Sequence, residues 1–155
     1  QFEMGPNFEP ADTIRRYQIA SPSIIGIRAV EVAYEMIERA GIALIEQKAA
    51  RGTELMMDLF KQWLEPLGFE VASPSQAALR GGHIILTHPE ARQIAYAMRK
   101  ISKVIPDYRE PNAIRVAISP LATSYTEVFE GFSRLRDLVE SGKYLSIEQD
   151  ANRVT

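Results

Sequence analysis

Cysteine is absent from the chain. No disulfide can brace it and no thiolate can hold a metal, so the fold must rest on burial and hydrogen bonding. Long apolar runs are missing too: nothing approaches the ~20 residues that cross a bilayer. The opening QFEMGPNFEP also lacks the basic-then-apolar order of a secretory signal. Charge of one sign is not in excess, since 18 Lys and Arg stand interspersed with 20 Asp and Glu. That balance argues against the clustered basic surface that grips a nucleic-acid backbone. Internal repeats and low-complexity tracts are absent as well. We therefore expect a cytoplasmic domain that neither enters a membrane nor binds nucleic acid. The chain opens on Gln1 rather than methionine, and we expect it to be a piece of a longer protein.

What is present suffices for a core, with 155 residues of which 46% are hydrophobic. Residues 1–20, punctuated by Gly5, Pro6 and Pro10, read as an arm or linker. Ser21 followed by Pro22 has the form of an N-cap with proline at the first helical position. The pattern predicts a helix from Pro22 to Arg39 whose stripe of Ile24, Ile27, Val30, Tyr34 and Ile37 faces a core. Gly41 interrupts it. A second helix is expected over Ile42–Leu64, with Ile45, Ala49, Met56, Leu59, Phe60 and Trp63 on one side, ended by Pro66 and Gly68.

Phe69–Ala72 and His83–Thr87 read as strands, Pro89–Ile101 as a helix, and Val104–Ile105 as a brief extended segment. Ile114–Ile118 alternates, with Ile114, Val116 and Ile118 on one face and Arg115 on the other. Ser124 and Glu127 have capping-box spacing, opening a last helix with a stripe of Val128, Phe132, Leu135 and Val139 that Gly142 ends. The expectation is an α+β fold: two long helices, then a small, mostly antiparallel sheet covered by helices on one face. Residues 21–145 would form the small domain and 146–155 a polar tail.

Few residues invite chemistry. His83 and His88, the only histidines, flank one strand without metal-ligand spacing, so a strand-edge and a turn histidine are expected rather than a metal site. No Gly-x-Ser-x-Gly elbow occurs, and Gly81-Gly82 lacks a phosphate-loop lysine. Glu31, Glu35, Glu38 and Arg39 read as a solvated helix face, and Tyr34, Met56, Met57 and Trp63 as core or interface filler. Arg115 sits mid-strand, where its planar fork suits a carboxylate. That carboxylate is either a ligand's or that of a structural partner, Asp107 or Glu110. Ser21, with Ser23, either holds a phosphate at a helix N-terminus or is a plain cap.

Two separated stretches carry a resemblance. YREPNAIRVAISPL over 108–121, then SYTEVFEGF from Ser124, with Asp107 and Arg109 as lead-in, is similar to the C-terminal part of kynureninases. These are pyridoxal-phosphate enzymes of the class V aminotransferase superfamily. Upstream, YQIASPSI from Tyr17 resembles the family segment that opens a long helix, and GGHIILTHP from Gly81 resembles its glycine-led strand. The resemblance implies that Arg115 binds the substrate α-carboxylate. It implies that Ser21 helps hold the cofactor phosphate, from the neighbouring subunit of a homodimer. The implied reaction is hydrolysis of L-kynurenine or 3-hydroxykynurenine to an anthranilate and L-alanine. In this family a lysine of a larger domain holds the cofactor covalently, and none of Lys48, Lys61, Lys100, Lys103 and Lys143 lies in a sequence similar to that motif. The chain is thus expected to be the small C-terminal domain, inactive alone. Ala122-Thr123 stands where kynureninases have Tyr-Asn, which keeps open another class V enzyme, a lyase or transaminase. A free-standing anion-binding or interaction module of the same fold is the other alternative.

Overall fold

A computed structural model describes residues 9–147. They fall into two compact units, one ending at Ala40 and the other beginning at Gly41. Of the polar tail expected over residues 146–155, Ser146 closes a 3-10 turn, Lys143–Ser146, and Ile147 packs against the core; residues 148–155 and the first eight residues of the arm lie outside the described residues.

Among the described residues the first unit holds a 3-10 turn, Ile14–Tyr17, whose Arg15 N–H donates to Thr13 Oγ1, and a helix, α1, over Ile24–Ala40. The cap of α1 is Ser23, not Ser21, because Ser23 Oγ accepts from Gly26 N at 3.3 Å and its carbonyl accepts from Ile27. Pro22 therefore precedes the helix instead of opening it. The expected burial of the α1 stripe is also corrected: no residue of α1 is buried, and Ile24, Ile27, Val30 and Tyr34 are all more than half exposed. Helical spacing records that an apolar face exists. It says nothing about whether the same chain supplies the cover.

Gly41, at φ 79°, separates α1 from α2, which spans Ile42–Leu59 and continues into a π-helical turn over Phe60–Leu64. A 3-10 turn over Glu65–Leu67 and a left-handed Gly68 end the run as Pro66 and Gly68 require. Four strands follow: β1 (Glu70–Val71), β2 (His83–Thr87), β3 (Asp107–Arg109) and β4 (Ala113–Ala117). They form one antiparallel sheet in the order β1-β2-β4-β3. Between β2 and β3 lies α3 (Ala91–Ala97), extended by a second π-helical turn over Met98–Ser102. The segment Val104–Ile105 is not a strand. Lys103 takes a left-handed φ of 56° and Val104 N–H bonds back to Met98, so extended pairing starts only at Asp107.

The last helix, α4 (Tyr125–Glu140), has the full capping box: Ser124 Oγ accepts from Glu127 N while the Glu127 carboxylate accepts from Ser124 N at 2.7 Å. One face of the sheet, with Ile84, Leu86 and Ile114 fully buried, packs under α2 and α3, and α4 packs on α2. A Cβ on Gly52 would lie 2.6 Å from Ile118 Cδ1, so glycine is what lets α2 approach the residue following β4. The small antiparallel sheet covered by helices on one face is as the sequence predicts.

Candidate functional site on the open sheet face

The alternation of β4 places Arg115 opposite to its core-facing neighbours. Ile114 is fully buried and Val116 half-buried, whereas Arg115 points to the uncovered face with 38% of its side chain exposed. On that face it pairs across β2 with Ile85 and across β3 with Asp107. Direct opposition in an antiparallel ladder brings side chains within reach of each other, and Arg115 Nη2 donates to Asp107 Oδ2 at 2.5 Å. Arg109, two residues along β3 on the same face, donates to the same oxygen from Nε at 3.0 Å and Nη2 at 2.7 Å.

Two guanidiniums thus share one carboxylate oxygen. The hydrogen bonds from Arg109 hold the Asp107 carboxyl below its ordinary range, and the charges of Arg109 and Arg115 act the same way; partial desolvation opposes them. The cluster keeps a net charge of +1. Among the described residues no bond is made by Arg115 Nε or Nη1, which leaves donors for an external anion. Glu110, the other partner considered for Arg115, makes no ion pair with it among the described residues.

Ser21 lies in the first unit and Arg115 in the second. Ser21 is exposed, two residues ahead of the cap that Ser23 provides. His83 opens β2 as an exposed residue opposite Ala117, while His88 is buried in a turn, tilted against Phe69 with ring centroids 4.6 Å apart, its Nδ1 accepting from Glu90 N–H. Among the described residues no cluster of three or more metal-ligating side chains occurs. Among the described residues no helix is long and apolar enough to cross a membrane. Glu31, Glu35, Glu38 and Arg39 form the exposed face expected of them. Met56 and Met57 are core, Trp63 is half-buried under Phe129 and Arg136, and Tyr34 is exposed.

A cavity of about 180 Å³ lies on the other side of β4, walled by Met56, Met98, Val116, Val128, Phe132 and Leu135. Its polar members are engaged elsewhere, Thr123 with Ser119 N and Glu127 with Ser124. Among the described residues, Lys48 is half-buried on α2 and the other four lysines are exposed. Neither observation fits a pyridoxal-phosphate cleft built from this chain alone.

Sequence reasoning missed strand β3 and with it the double hold on Asp107. The signal was there: Asp107 and Arg109 alternate around Tyr108, and a Pro-Asn turn separates them from the strand that carries Arg115.

Comparison with known proteins assigns this α+β domain and its arginine-bearing strand. The family model of the kynureninase C-terminal domain matches residues 45–135. The chain belongs to that family. The kynureninase of Geobacillus thermodenitrificans is 36% identical over 144 residues, 93% of this chain and 33% of the relative. Those of Bacillus anthracis and Bacillus thuringiensis subsp. konkukian are 33% and 34% identical, each over 96% of this chain and 34% of the relative. The chain spans about a third of the length of these curated relatives.

Proposed function

We propose that this chain is the substrate-orienting small domain of a kynureninase-like hydrolase. The complete enzyme cleaves the Cβ–Cγ bond of L-kynurenine or 3-hydroxykynurenine with water, giving L-alanine and an anthranilate. The observation that carries this reading is Arg115, on the open face of a family-matched domain with donors unused by the chain itself. A guanidinium so disposed grips an α-carboxylate by paired charge-assisted bonds and fixes the orientation of the bond to be broken.

Pyridoxal phosphate would supply the electron sink for the cleavage, held by a lysine outside this chain. The lysines here do not fit that role, so what this domain contributes is orientation. Ser21 is assigned to the cofactor phosphate of a neighbouring subunit in a cytoplasmic homodimer. Its exposed hydroxyl and its place before α1 support that assignment.

The test is Arg115→Ala in the complete enzyme. Loss of one good charge-assisted contact is expected to lower kcat/KM for L-kynurenine by at least about tenfold, about 1.4 kcal/mol. Unchanged kinetics would overturn the assignment of Arg115. The 155-residue chain alone, given pyridoxal phosphate, should turn over no kynurenine.

A further inference from the structure

The hold on Arg115 has more structure than a simple ion pair. Asp107 sits directly opposite it in the β3–β4 ladder, contacts it through Oδ2 alone, and is itself gripped twice by Arg109. As a stabiliser of the fold such a trio is weak, since both arginines are more than a third exposed and exposed ion pairs contribute little. As a clamp on one long side chain it is effective. An unrestrained arginine must surrender its rotamer freedom when it meets a ligand, whereas one already fixed by a neighbour has less to lose.

We propose that Asp107 is a positioning residue for Arg115, fixing the guanidinium through one Nη2 hydrogen so that the second Nη2 hydrogen, paired with its neighbour on Nε or Nη1, remains for a ligand carboxylate, with Arg109 fixing Asp107 in turn. This rests on the reading of Arg115 as the carboxylate binder. Its consequence opposes simple electrostatics. Removing a negative charge beside an anion site should, by Coulomb's law alone, strengthen anion binding. If pre-organisation dominates, the same removal weakens binding.

Asp107→Asn in the complete enzyme separates the two. The expected result is a KM for L-kynurenine raised about three- to tenfold, with kcat within about twofold of the parent, because the lost interaction orders the binding group and does not touch the reacting bond. Asp107→Glu should recover part of the loss. Arg109→Gln, at an exposed position that folding tolerates, should raise KM in the same direction by less, and it carries the test should Asp107→Asn fold poorly. In the 155-residue chain, nitrogen-15 relaxation of the Arg115 side chain should show restricted Nη rotation that Asp107→Asn releases.

An unchanged or lowered KM in Asp107→Asn and Arg109→Gln, while Arg115→Ala keeps its loss, would overturn the positioning role and leave the carboxylate reading standing. No effect from Arg115→Ala would instead overturn the reading on which the role rests.

Discussion

Helices α1 and α4 are nearly the same length, 17 and 16 residues, and both carry apolar side chains at three- and four-residue spacing. Their fates differ. On α4 the residues Val128, Phe132, Leu135 and Leu138 are at most 5% exposed and belong to the core. On α1 the equivalent stripe is open, with Val30 51% exposed and Tyr34 65%. Amphipathicity alone therefore does not stabilise a helix within a chain; a facing surface must be supplied, and α4 finds one in α2 and the core. The capping differs in the same sense. α4 is closed by a reciprocal box, α1 by one hydroxyl.

The contrast is broken most severely at Phe132. Truncating this side chain, 4% exposed and beside the cavity under α4, removes buried apolar area and enlarges an existing void. Phe132→Ala should cost about 3–5 kcal/mol, measured by urea unfolding of the 155-residue chain. A loss below about 1 kcal/mol would mean that the core under α4 is already loose.

A smaller effect belongs to the cap. Ser124→Ala should cost about 1 kcal/mol in the same assay. The pH dependence should change with it. Bonds from Ser124, chiefly its backbone N–H, hold the Glu127 carboxyl below its ordinary range. A carboxyl depressed in the folded state adds stability that is present above its unfolded value and lost as pH falls through the folded one. The parent chain should therefore shed stability on acidification below about pH 4.5, and Ser124→Ala, lacking the hydroxyl's share of the bonding, should shed less.

The contrast between these helices also marks how far the sequence could be read. The capping box, the α4 stripe through Val128, Phe132 and Leu135 (though Leu138, not Val139, is its fourth buried member), the termination at Pro66 and Gly68, and the sidedness of Ile114, Arg115 and Val116 were legible because each depends on neighbours a few residues away. The partner of the α1 stripe was not, since burial is a property of a second surface. Asp107 was one of the two structural partners that the sequence offered Arg115. The choice of Asp107 over Glu110 and the second grip by Arg109 were not legible, because both depend on strand β3, only three residues long and too short to display a period. Its register comes from the ladder with β4, not from its own pattern. Membership of the kynureninase family was legible through the PNAIRVAISPL stretch, which combines a turn, a strand and the arginine in one local block.

The smallest effect expected is on α1, and it decides how the comparison extends to solution. Val30→Ser removes two methyl groups from an exposed helix position, and valine and serine have similar helix propensities. With half of the residue already in water, the change should stay within about 0.5 kcal/mol and move the thermal midpoint of the 155-residue chain by no more than about 2 °C. The same substitution in the complete enzyme is the sharper measurement. A stripe of this kind is stable in water only at the cost of exposed apolar area. If the rest of the protein or a second subunit covers it, Val30→Ser should there cost about 1 kcal/mol or more, the scale of losing buried methyl groups. Equal, negligible losses in both settings would show that the α1 stripe stays open, and that its spacing serves no packing role.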